Sequence, residues 1–92
     1  SLAIELGGYG IRVNAVLPGV VEGPRIDGVI RARAETLGIS FEAMRERYLE
    51  TTSLQRMVTA DDIVNMVLFL VSPMGRNVSG QALSVCGDVW SI

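Results

Sequence analysis

IRVNAVLPGV, residues Ile11 to Val20, decides the fold. A β-branched apolar run with little polar alternation reads as a strand buried on both faces, as in a parallel sheet covered by helices. The strand is expected over Ile11 to Leu17. It stops at Pro18, which has no N–H to give to a sheet. Gly19 lets the main chain turn sharply or approach a ligand closely. Open parallel sheets take ligands at the carboxyl ends of their strands. Pro18 and Gly19 are therefore expected to form one wall of a binding crevice.

The surrounding segments supply the rest of an α/β pattern. Ser1 to Leu6 reads as the last turns of a helix, stopped by Gly7 and Gly8. Pro24 to Leu37 reads as a helix with proline in its first turn and an apolar stripe of Ile26, Val29, Ile30, Ala34 and Leu37. Ser40 caps a second helix from Phe41 to about Glu50. Thr59 caps a third from Ala60 to about Leu70, with Asp61 and Asp62 in the turn where the helix dipole favours negative charge. Ser72 and Pro73 stop it, Met74 to Gly80 is a loop, and Ala82 to Cys86 is a second buried strand. A strand–helix–strand order predicts a parallel pair. Asn14, polar inside the first strand, is expected to clamp neighbouring backbone. Met57, Met66 and Met74 are expected to fill the core.

Composition narrows the chemistry. The 92 residues hold eight arginines, ten acids and no lysine or histidine, with a net charge of -2. The two signs are interspersed, so no field that would hold nucleic acid is present. The commonest general base and the usual amine nucleophile are both missing. A single cysteine, Cys86, excludes an internal disulfide and a multi-cysteine metal site, and it suits a reducing, cytoplasmic setting. No apolar stretch is long enough to span a bilayer. Two strands are too few to bury each other, so the chain is expected to be part of a larger domain.

Three stretches, taken in order, resemble the C-terminal part of short-chain dehydrogenases/reductases. They are SLAIELGGYGIRVNAVLPGVVEGP (residues 1–24), SLQRMVTADDIVNMVLFLVSP (53–73) and NVSGQALSVCGD (77–88). The nearest kin by this resemblance are 3-oxoacyl-carrier-protein reductases and related NAD(P)-dependent alcohol dehydrogenases. The resemblance implies an α/β, doubly wound, Rossmann-like parallel sheet. Residues 1–92 would be the C-terminal portion of one NAD(P)-binding domain, with a helical lid insertion at about 24–52 and the N-terminal portion absent. It implies hydride transfer between NAD or NADP and a carbonyl or alcohol of a small-molecule substrate. Pro18, Gly19, Val20, Val21 and Gly23 take the cofactor-binding positions, Val21 through its backbone to the nicotinamide carboxamide. Gly23 stands where the family often has threonine. Cys86-Gly87-Asp88 stands where it usually has Asp-Gly-Gly.

The family's catalytic Tyr-x-x-x-Lys pair has no counterpart, because Tyr9 and Tyr48 are not followed by lysine. Gly7-Gly8-Tyr9-Gly10 follows a helix and precedes a strand, the reverse of a dinucleotide-binding loop. No catalytic residue and no metal ligand is therefore assigned, and the 92 residues alone are expected to be inactive. The implied partners are the N-terminal portion of the same domain and further copies in a dimer or tetramer. The last helix and strand would pack there, with Val89, Trp90 and Ile92 at an intersubunit or domain face. No nucleic acid and no membrane is expected as a partner. The alternative is a non-catalytic packing or assembly module that buries the same apolar faces against another protein.

Overall fold

The computed structural model describes residues 1–90. Ile92, expected at a packing face, lies outside them. Helix α1 spans Leu2–Gly7, strand β1 Ala15–Pro18, helix α2 Pro24–Leu37 and helix α3 Phe41–Leu49. Helix α4 spans Ala60–Val71, a single 3-10 turn Pro73–Gly75, and strand β2 Ala82–Val85. The two strands pair in parallel, Ala15 opposite Ala82 through Pro18 opposite Val85, and α4 packs across both. The α/β class and the parallel crossover expected from the sequence are thus present. No helix of the described residues is long and apolar enough to cross a membrane.

Two expectations about the strands need correction. The first strand begins at Ala15 rather than Ile11 because the polar groups of the preceding residues are taken by the loop ahead of β2. The Val13 N–H donates to Ser79 Oγ at 3.2 Å, and the Val13 carbonyl accepts from the Gly80 N–H at 2.8 Å. Asn14 behaves as expected: its Nδ2 donates to the Val78 carbonyl and its Oδ1 accepts from the Gln81 N–H. The second correction concerns burial. Neither strand is buried; Leu17 is 45% exposed and β2 alternates exposed and half-buried positions. A strand is buried only by neighbours on its edges and layers on both faces, and here each strand has one neighbour.

The core lies elsewhere. Ile30 and Ala34 of α2, Met44 of α3 and Met57 are buried together, with Val20, Ile26, Phe41 and Tyr48 packed around them. Ile30 is fully buried, worth about 1.5–3 kcal/mol by area. Two cations tie the helices further: the Arg31 guanidinium sits 5.5 Å from the Phe41 ring centre and that of Arg33 5.7 Å from the Tyr48 ring. Of the three methionines expected inside, Met57 is buried, but Met74 is 75% exposed at the 3-10 turn. The helix pair is therefore the best-packed part of the chain. The radius of gyration is 17.1 Å, against roughly 12 Å for a compact domain of this length.

Helix α4 is fixed at both ends. Thr59 and Asp62 form a reciprocal capping box: Thr59 Oγ1 accepts from the Asp62 N–H, and Asp62 Oδ2 accepts from the Thr59 N–H at 2.8 Å. That backbone N–H, with the Thr59 hydroxyl second, holds the Asp62 carboxyl below its ordinary value. At the other end Arg12 donates to the Leu70 carbonyl at 2.6 Å and to the Val78 carbonyl at 3.1 Å. A cation at a helix C-terminus meets the negative end of the dipole and occupies an orphan carbonyl. Replacing Arg12 by methionine keeps the apolar stem and removes both bonds. It is expected to cost about 2 kcal/mol in denaturant unfolding of the protein carrying this chain, with Arg12→Lys losing roughly half as much.

Candidate functional site

The expected wall, Pro18 to Gly23, is one continuous bend of main chain at the carboxyl end of β1. Gly19 anchors it. Its N–H donates to the Val85 carbonyl at 2.9 Å, and a Cβ built on it would lie 2.6 Å from Cys86 Cα. Gly19 does not use a left-handed conformation, so the sharp-turn reading is not its role. The close approach is real, but in this chain it is to the end of β2.

Beyond Gly19 the chain runs parallel to Val58. The Val58 N–H donates to the Val20 carbonyl and the Glu22 N–H to the Val58 carbonyl, each at 2.8 Å. This bridge centres on Val21. In such a parallel bridge the central residue turns its own N–H and C=O away from its partner. Among the described residues neither group of Val21 has a backbone partner. A donor and an acceptor thus stand side by side on the outer edge of the bend, the pattern that matches a primary amide.

Successive side chains of an extended segment point to opposite sides. The Val21 side chain enters an apolar groove with Ala60, Ile63, Val64, Val67 and Leu68 of α4. The Val20 side chain packs instead against the α2–α3 core. Gly23 ends the bend as the N-cap of α2, with φ +149°, a conformation that disfavours any side chain. Threonine, which the resemblance implies is often found there, would be strained in this backbone. The absence of a side-chain cap follows from the same choice. Pro18 is exposed, and Gly19, Val20, Val21 and Gly23 are half-buried.

Neither tyrosine belongs to this bend. Tyr9 is 81% exposed and precedes β1. Tyr48 sits on α3 beneath Arg33.

Sequence reasoning missed one element near the site. The segment after β2 folds back on the residues that follow α3. The Ser53 N–H donates to the Asp88 carbonyl, the Leu54 N–H to the Gly87 carbonyl and the Trp90 N–H to the Thr51 carbonyl at 2.9 Å. Ser53 Oγ donates to Asp88 Oδ2 at 2.6 Å. Gly87 and Asp88 are both left-handed, at φ 66° and 63°. An Asp following Gly was the available signal, since both residue types tolerate that region. Trp90 stays 67% exposed beside this ribbon.

Residues 1–87 match the family described as Enoyl-(Acyl carrier protein) reductase. A putative ketoacyl reductase of Streptomyces coelicolor is 36% identical over 97% of the chain, which covers 34% of that protein. A short chain dehydrogenase family protein of Francisella tularensis superposes with a TM-score of 0.85 at 31% identity, over 94% of this chain and 36% of its own. The actinorhodin polyketide ketoreductase, solved with NADPH, superposes with a TM-score of 0.81 at 36% identity, over 94% of this chain and 33% of its own. The chain spans about a third of the length of the relatives it matches. By the extent of the family match and the parallel α/β architecture, the chain belongs to the short-chain dehydrogenase/reductase family.

Proposed function

We propose that this chain is the C-terminal portion of an NAD(P)-dependent oxidoreductase that moves hydride between a nicotinamide and a carbonyl or alcohol. Pro18, Gly19, Val20, Val21 and Gly23 form its nicotinamide wall. The observation that carries this is the outward-facing N–H and C=O of Val21, left without backbone partners at the carboxyl end of a parallel strand. A carboxamide needs one donor and one acceptor at that spacing. The ketoreductase solved with NADPH supports the same assignment by likeness.

Helices α2 and α3, with the residues to Thr52, act as the substrate lid. Ile30, Ala34 and Met44 pack the two helices together, and Val20 and Met57 seat that core on the bend beside the candidate site. The open edge of β1 and the exposed Leu2, Ile4, Ile11 and Leu17 are covered by the N-terminal portion of the same domain. The free edge of β2, with Val89 and Trp90, meets a second copy in the cytoplasm, as a dimer or tetramer. The cofactor, NAD or NADP, supplies the hydride; this chain binds, orients and excludes water.

Val21→Pro tests the wall. It removes the N–H, which has no backbone partner to lose. In the full-length protein the substitution is expected to raise the Kd for NADH or NADPH about tenfold, one lost hydrogen bond to a buried amide. Val21→Ala keeps the backbone and is expected to change it less than about threefold. Fluorescence titration reads both. Equal affinity for the proline variant and the wild type would remove Val21 from the site.

A further inference from the structure

The cavity on the Val20 side of the bend has walls that the nicotinamide reading leaves unused. It encloses about 390 Å³. Val20, Met44 and Val89 give it an apolar floor, and Arg33 of α2, Arg47 of α3, Tyr48 and Thr51 complete it. No carboxylate stands among these walls, although α2 and α3 carry four acids, Asp27, Glu35, Glu42 and Glu46. Glu46 and Glu50 adjoin the lining residues in the chain, and Glu50 lines the neighbouring groove that Arg47 also borders.

Arg33 is preorganised. Its guanidinium rests over the Tyr48 ring, which fixes the plane while the edge N–H groups remain available. The lid core holds Met44 and Tyr48 in place beneath it. Arg33 and Arg47, both exposed to solvent, border an apolar floor whose wall carries no carboxylate, so an anion seated there would meet two positive charges and no acid. A phosphomonoester carries close to two negative charges at neutral pH and offers three acceptor oxygens to such forks. A carboxylate supplies one charge and two oxygens.

We propose that this cavity binds the phosphate group of a phosphomonoester substrate, with Arg33 and Arg47 as its counter-charges and Val20, Met44 and Val89 seating the carbon body. Calling the ligand a substrate rests on the reading of Pro18–Gly23 as the nicotinamide wall. The anion site itself rests on the cavity. Because Val20 adjoins Val21, the phosphate end would be held on one flank of the bend while the nicotinamide lies along its edge.

The test is calorimetric titration of the full-length protein with phenyl phosphate, benzoate and phenol. Phenyl phosphate is expected to bind at least about tenfold more tightly than benzoate, and phenol more weakly still. Arg33→Gln and Arg47→Gln are each expected to weaken phenyl phosphate about tenfold or more, and Arg47→Lys less than Arg47→Gln. Arg47 is exposed and makes no hydrogen bond to other described residues, so its variants keep the fold even if Arg33→Gln loosens the stack on Tyr48. Phenyl phosphate binding that survives Arg47→Gln, or that benzoate or phenol equals, overturns the proposal. NADPH titration of the same samples separates the two readings. Loss of phenyl phosphate with NADPH binding intact removes the anion site alone. Arg47-dependent phenyl phosphate binding in a protein that does not take NADPH leaves the site and removes the nicotinamide wall.

Discussion

Supplied with NADPH and a panel of ketones, these 92 residues alone are expected to oxidise no cofactor above the solvent blank. Reduction of a carbonyl needs a hydride donor fixed against the carbon and a proton donor at the oxygen. The chain has no lysine to set a tyrosine's acidity and no histidine to replace it. Tyr9 stands in water ahead of β1, and Tyr48 of α3 lies under a guanidinium. Among the described residues no strand leads through a glycine-rich turn into a helix that could hold a pyrophosphate, since Gly23 is followed at once by Pro24. On the reading proposed above, the Val21 amide pair would contribute orientation alone, which is worth little when nothing holds the rest of the dinucleotide. The full-length protein, by contrast, is expected to turn over at rates on the order of 1–1000 per second on its own substrate. Absorbance at the reduced nicotinamide band checks both. Steady oxidation by the pure 92-residue chain would show that proton transfer has a donor within these residues.

The sequence made local structure legible wherever the deciding atoms lie within a few residues. Thr59 and Asp62 announce their capping box by spacing, and the structure forms it. Ser40 accepts from the Ala43 N–H as its position ahead of Phe41 implies. Asn14 was readable because a buried amide inside an apolar run must find partners, and the nearest polar backbone is the loop it clamps. Arg12 was not readable. Its partner, the Leu70 carbonyl, lies 58 residues away, and only the crossover brings it there. The fold-back of Gly87 to Trp90 onto Thr51 to Leu54 is equally non-local.

Strand burial failed for a different reason. An apolar run states what a segment can tolerate, and the layers around it decide what it receives. Leu17 is 45% exposed because β1 has one neighbouring strand and α4 on one side. At the candidate site the bend was legible from Pro18 and Gly19. The open amide pair of Val21 was not, because it depends on Val58 arriving in parallel register.

Gly19→Val is expected to damage the fold severely. The added Cβ would lie 2.6 Å from both Cα and Cβ of Cys86 and 3.2 Å from its carbonyl oxygen. Real carbon contacts of this kind do not occur, so the ends of β1 and β2 must separate. Separation breaks the bond from the Gly19 N–H to the Val85 carbonyl and carries Val20 and Val21 off their register with Val58. Overpacking of side chains costs about 1–3 kcal/mol, and here the obstacle is backbone that cannot choose another rotamer. A loss of at least about 3 kcal/mol follows, or roughly 6–12 °C in Tm for a domain of 150–250 residues. Gly19→Ala should approach the same loss, because the first carbon makes the clash. Cys86→Gly distinguishes this account from ordinary core crowding. It removes the Cys86 Cβ but leaves its Cα in the way, so the double variant should recover little stability. Full recovery by Cys86→Gly would mean that the strand ends can part freely, and that the bend does not depend on the close pairing of Gly19 with Cys86.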